Sequence, residues 1–122
     1  MPVVEIEVVG DAAGAGGQVS AQAVADALGQ AFGSPAGRTW VRLRRLEGAD
    51  YAENGVAAGA DGEPVFVTVL HAHPPTGAAL AGEMAAVTQA VALCIGRAPE
   101  RVHVVYAPPG AGRVAFGGRI VE

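Results

Sequence analysis

Apolar positions along the chain follow two periods in turn, and the order repeats. Val3-Val4-Glu5-Ile6-Glu7-Val8-Val9 alternates in part, which predicts a strand covered on at least one face. Ser20 is placed to cap a helix, and Val24, Ala27, Leu28, Ala31 and Phe32 then form a stripe at helical spacing, with Gln22, Asp26 and Gln30 opposite. Gly33 and Pro35 stop that helix. Residues 39–46 read as a second strand, with Trp40, Arg42 and Arg44 on one face and Val41, Leu43 and Arg45 on the other. After a long connection, Pro64-Val65-Phe66-Val67-Thr68-Val69-Leu70 echoes the segment that begins at Pro2. A second apolar stripe follows (Leu80, Met84, Val87, Val91, Ile95), ended by Gly96 and Pro99, and residues 101–106 read as a fourth strand. Ala115-Phe116-Gly117-Gly118 stands where Ala52-Glu53-Asn54-Gly55 stands in the first half. The offset is about 62 residues throughout, the mark of a duplicated unit.

Each unit is β-α-β, and a right-handed crossover makes its two strands parallel. The expected fold is α+β: two tandem β-α-β repeats forming a four-stranded sheet with both helices on one face. Residues 1–122 make one domain, with repeat halves at about 2–55 and 64–118. Residues 114–121 predict a short terminal hairpin turned at Gly117-Gly118. The sheet face away from the helices carries Val, Phe and Trp side chains that nothing yet buries, which predicts self-association.

Composition narrows the partners. The net charge is −4, and all eight basic residues are arginine, with no basic stripe, so nucleic acid is not expected. Without lysine there is no lysine Schiff-base chemistry. The single cysteine, Cys94, cannot form an intramolecular disulfide and falls in the second helical pattern, where a core thiol is expected. The acidic N-terminal strand lacks a basic leader, and no apolar run of about 18 residues is free of polar interruption. A cytoplasmic protein with no membrane partner is the expectation. Residues 10–18 are rich in Gly and Ala but lack the spacing and the Lys-Ser/Thr ending of a phosphate loop, so they read as a flexible connection.

Candidate chemistry begins at Pro2. Removal of Met1 would give Pro2 a free secondary amine; such a group, desolvated, is neutral near pH 7 and can take a proton from carbon beside a carbonyl. A proline opening a strand is also structurally ordinary, because its missing N–H costs nothing there. Arg42, Arg44 and Arg45 crowd one strand, either as a solvated rim or as an anion site, since arginine grips a carboxylate with two parallel hydrogen bonds. Residues 47–63, with Tyr51, form a connection of a length that usually carries function or oligomer contacts. His71 and His73 end the third strand at i, i+2 spacing; no third ligand is evident, so metal is not expected and either histidine lines a pocket or meets solvent.

The ordered set of Met1-Pro2, the doubled β-α-β unit, Ser34-Pro35 with Val41-Arg42, Pro99-Glu100-Arg101-Val102 and Phe116-Gly117-Gly118 resembles the tautomerase superfamily, typified by 4-oxalocrotonate tautomerase and macrophage migration inhibitory factor. The resemblance covers nearly the whole chain. It implies a homotrimer whose sheets form a barrel-like core, no cofactor, and keto-enol tautomerisation of a small 2-oxo or 2-hydroxydienoic acid. Decarboxylation or dehalogenation of a small acid and a non-catalytic trimeric binding protein are the alternatives on the same fold. It implies Pro2 as the base and Arg42 as the carboxylate-binding residue, with Arg38, Arg44, Tyr51, His71, His103 and Phe116 around the substrate. His103 takes the place of a tyrosine that a neighbouring subunit supplies in the inhibitory-factor branch. Two departures stand out: Asp11, Ala12 and Ala13 replace a loop arginine of small tautomerases, and His71-Ala72-His73-Pro74 replaces an Arg-Pro-Arg-like segment of the decarboxylase and dehalogenase branches.

Overall fold

A computed structural model describes residues 1–10 and 19–122; the greater part of the Gly/Ala-rich connection lies outside the described residues. The elements are β1 (Val3–Val9), α1 (Ala21–Phe32), β2 (Trp40–Leu46), β3 (Val65–Leu70), α2 (Gly77–Ile95), β4 (Val102–Tyr106), β5 (Ala115–Phe116) and β6 (Arg119–Ile120). The sheet order is β2-β1-β3-β4, with β5 and β6 forming a separate hairpin. β1 runs parallel to β2 and antiparallel to β3, and β3 runs parallel to β4. This is the duplicated β-α-β architecture that the periodicity implies: β1 and β3 sit together at the centre, and each crossover helix lies over its own half.

The local signals account for the boundaries. Ser20 accepts a hydrogen bond from the Ala23 N–H at 3.1 Å and so starts α1, and Gly33 ends it in the left-handed conformation at φ 65°, which costs glycine nothing. A 3-10 turn (Pro99–Arg101) precedes β4, so that strand begins one residue later than its apolar pattern suggests.

Strand alternation sorts the two faces. Val4, Ile6, Val8, Val65, Val67, Val69 and Val102 turn toward the helices and meet Val24 and Leu28 of α1 and Val87, Val91 and Ile95 of α2 in one buried cluster. By length and composition α2 could cross a membrane; here its buried face instead covers the sheet. Cys94, half-buried, has its Sγ 3.9 Å from the Ala23 carbonyl on α1, and burial raises its thiol pKa. Arg97, just past α2, ties the far end of the sheet together: its guanidinium donates to the carbonyls of Glu63 (2.7 Å) and Val9 (2.9 Å). Those are groups at the strand ends that the ladder leaves without partners.

The opposite face is open and less apolar than the sequence implies. Register places three rows across it: Trp40, Val3 and Leu70; then Arg42, Glu5, Thr68 and Val105; then Arg44, Glu7, Phe66 and His103. Trp40 (41 % exposed) and Val105 (59 %) are uncovered, while Glu5 carries an ion pair with Arg42 in the middle of the face. Acidic residues at β1 positions 5 and 7 therefore give a mixed apolar and charged surface. Such a surface can be covered by another sheet only if the charges find partners across the contact.

Candidate functional site

The residues singled out from the sequence separate into two groups at opposite ends of the sheet, with Arg42 between them. The first group gathers at the start of β1. Pro2 is buried, and its carbonyl accepts a hydrogen bond from the Trp40 N–H at 3.0 Å, which locks the chain start beside β2. A turn closed by the Arg38 N–H on the Pro35 carbonyl (3.2 Å), with Gly37 at φ 76°, brings Arg38 to the same end. The amine at the chain start is held below its ordinary pKa, first by burial and then by the Arg38 charge. The β5–β6 hairpin reaches over this end: Phe116 meets Trp40 edge to face with centroids 4.3 Å apart, and Gly117 (φ 57°) and Gly118 (φ 83°) make the turn that allows it. Gly110 is needed close by, because a Cβ there would lie 3.1 Å from Leu70 and Val114 and 3.2 Å from Met1.

His71 joins this first group. Val3 pairs with Leu70 at the end of the antiparallel ladder, so His71, the next residue, lies at the same end of the sheet as Pro2. The His71 ring has partners that local sequence reading does not reveal. Its Nε2 lies 2.8 Å from Glu83 Oε2 on α2, and the Tyr106 hydroxyl at the end of β4 donates to the same oxygen at 2.5 Å. The Phe32 ring stands edge-on to the imidazole at 5.1 Å. Burial first, then the hydrogen bond to Glu83 and its charge, push the Tyr106 hydroxyl well above the ordinary tyrosine range. Folding thus favours the protonated hydroxyl. The stability it contributes is complete below the unfolded-state value of 10.0 and is lost as pH climbs from there toward the folded-state value. Urea midpoints should accordingly fall between pH 9 and pH 11 in the wild type and fall less in Tyr106→Phe; equal slopes would remove Tyr106 from the alkaline response. The neighbouring histidine, His73, has Nε2 3.1 Å from the Glu122 main-chain oxygen.

The second group lies at the far end of β1, roughly 16 Å along the strand from Pro2. His103 is on the open face beside Phe66, with ring centroids 5.6 Å apart, and Tyr51 packs on the same Phe66 at 5.8 Å. Glu53 joins the loop to the 3-10 turn that precedes β4: it accepts from the Tyr51 hydroxyl and from Arg101, each at 2.6 Å. Those two hydrogen bonds hold the Glu53 carboxyl below its ordinary pKa, with the charges of Arg101 and His103 adding to the effect. Arg44 shares the row of His103, and its guanidinium reaches within 4.0 Å of Glu5. Arg42 pairs with Glu5 directly. Of the candidate arginines, Arg38 is therefore the one whose charge reaches the chain start. Glu53, Glu83, Arg101 and Tyr106 were not among the sequence candidates. Only Glu100-Arg101 carried a signal, as part of a motif, and it pointed to the family rather than to a role.

A hollow of about 380 Å³ adjoins the second group. Residues 48–63 wrap around it, with Tyr51 and Glu53 on one wall, Ala52, Val56, Ala57 and Ala60 lining it, and Asp61 and Glu63 also on its surface.

No family model matches this sequence, and no curated protein matches it. Solved structures do match over nearly the full length of both chains. A fused 4-OT described as a wild-type symmetric trimer superposes with TM-score 0.75 at 20 % identity, covering 98 % of this chain and 94 % of that one. Pt0534, inactivated by 2-oxo-3-pentynoate, gives 0.74 at 20 % identity, with 97 % and 95 % covered. The macrophage migration inhibitory factor of Toxoplasma gondii gives 0.70 at 18 % identity, with 97 % and 98 % covered. FG41 malonate semialdehyde decarboxylase, inhibited by 3-bromopropiolate, gives 0.70 at 22 % identity, with 94 % and 88 % covered. The neighbours thus include enzymes of more than one reaction and proteins that are trimers.

Proposed function

Because the chain has the fold of the tautomerase superfamily, we propose that it is a homotrimeric enzyme that moves a proton between carbon and oxygen in a small 2-oxo or enol acid. The observation that carries this reading is the environment of the chain start, where the Met1 amine is desolvated and the Arg38 charge adds to the lowering of its proton affinity. Removal of Met1 transfers the free amine to the ring nitrogen of Pro2, one residue further into a buried end. There the neutral nitrogen takes a proton from the carbon next to the substrate carbonyl and returns it to the product. Arg38 holds the substrate carboxylate through charge-assisted hydrogen bonds and offsets the charge that develops as the enolate forms. Arg42 and Arg44, paired with Glu5 in the single chain, are available for the carboxylate if assembly redirects Glu5.

In this reading the site is completed between subunits. The Pro2 end of one chain meets the His103 end of the next, so that Tyr51, His103 and Phe66 close over a substrate held by Arg38, with His71 and Phe116 shaping the wall at the amine. His103 then serves as a hydrogen-bond donor to the enol oxygen. A decarboxylase neighbour supports a second reaction on the same amine, in which a protonated Pro2 acts as acid.

Intact mass and two assays test the proposal. The purified chain should lack Met1, and it should ketonise the monocarboxylate enols phenylenolpyruvate or 2-hydroxy-2,4-pentadienoate with a rate that depends on an unprotonated group. A chain that keeps Met1 has an amide at Pro2 and supports the binding-protein alternative. A chain without Met1 that decarboxylates malonate semialdehyde while leaving both enols alone supports the second reaction.

A further inference from the structure

We propose that the hollow inside residues 48–63 is a specificity pocket that takes the uncharged apolar arm of a monocarboxylate and rejects a second carboxylate. This rests on the reading of the Pro2 end as the reacting centre, because that reading brings the hollow of one chain beside the amine of the next.

Its volume of about 380 Å³ suits an arm of several carbon atoms. The lining decides which arm. Ala52, Val56, Ala57 and Ala60 offer small apolar surfaces and no donor side chain. The charged groups that line it are Glu53, Asp61 and Glu63, all acidic. Glu53 is matched by Arg101, but Asp61 and Glu63 add negative charge at the wall. A methyl or phenyl end buried there gains hydrophobic free energy, while a carboxylate would lose its water and face like charges.

Two contacts join the hollow to the rest of the site. Tyr51 lines it and also packs on Phe66, which in turn meets His103. Glu53 lines it and fixes both the Tyr51 hydroxyl and Arg101, the residue two before His103. The loop is thereby anchored to the turn that leads into β4, close to His103. The Glu63 carboxylate at its end lies against the backbone of Gly10 and Gly48.

Hexanoate and adipate provide a matched test, because they share six carbons and differ in the second carboxylate. Calorimetric titration of the assembled wild type should show hexanoate binding at least about tenfold more tightly than adipate. Methyl resonances of Ala52, Val56 and Ala57 should shift with hexanoate. Ala57→Phe, which fills the hollow, should bring the two affinities within about twofold of each other; Ala60→Phe repeats the test at a second wall should the first variant misfold. Equal affinities in the wild type, no measurable hexanoate binding, or an unchanged preference in both filled variants would overturn the pocket. Binding is read without turnover, so a protein that prefers hexanoate but lacks proton-transfer activity would defeat the Pro2 reading and leave the pocket standing.

Discussion

Pro2→Ala is expected to lower kcat for enol ketonisation by about a hundredfold or more, with a much smaller change in KM. Alanine keeps an amine after Met1 removal, so the loss isolates what the ring contributes. Proline fixes φ and presents its nitrogen in one orientation, whereas an alanine amine rotates and is more easily hydrated. In the proposed mechanism the nitrogen acts only in the chemical step, while Arg38 binds the carboxylate in ground state and transition state alike. A chain forced to retain Met1 should be at least as impaired. Equal kcat in the wild type and Pro2→Ala would assign the proton transfer to another group.

Val105→Arg is expected to convert the assembly to single chains and to abolish turnover at the same time. Val105 lies on the open sheet face, 59 % exposed, in the row that ends the Arg42–Glu5 pair. That face is the surface left for subunit contact once both helices cover the other. A guanidinium added to a row that already holds Arg42 would have to be buried without a carboxylate of its own, which costs several kcal/mol. Light scattering should move from about three times the 12.2 kDa chain mass to the chain mass itself. The far-UV spectrum should persist, because the helix-side core does not involve Val105. In the proposed mechanism turnover depends on assembly, because Pro2 and His103 sit at opposite ends of the sheet of one chain, too far apart to act on one small molecule. A stable single-chain form with full activity would place the whole site within one subunit.

These expectations draw on different depths of the sequence. The duplicated unit was visible because strand alternation, the helical stripes and the stops at Gly33 and Gly96 are local signals, each set by a few neighbouring residues. The hairpin turn at Gly117-Gly118 was visible for the same reason. The strand faces followed from alternation, but the Arg42–Glu5 pairing needed the β1–β2 register as well. The choice of Arg42 as the carboxylate-binding candidate came from the family resemblance, which carries no register and so could not show its pairing with Glu5 in the single chain. His71 was recognised as a candidate but not its partners, since Glu83 arrives from a helix and Tyr106 from an edge strand. The link from Tyr51 through Glu53 to Arg101 spans half the chain, and no spacing rule reports it. What escaped was long-range polar pairing, which depends on how finished elements dock rather than on the pattern within any one of them.

The most direct measurement of the central claim is the site of covalent labelling. 2-Oxo-3-pentynoate, which inactivates the structural neighbour Pt0534, carries an electrophilic alkyne that takes an unprotonated nucleophile; the lowered proton affinity at the chain start favours the amine there, whereas burial raises the pKa of the Cys94 thiol and disfavours its reactive thiolate. After incubation with the reagent, peptide mapping should find one adduct per chain, on the nitrogen of Pro2, with loss of ketonisation in proportion. An adduct on Cys94 alone, or an unmodified chain that has already lost Met1, would contradict the account.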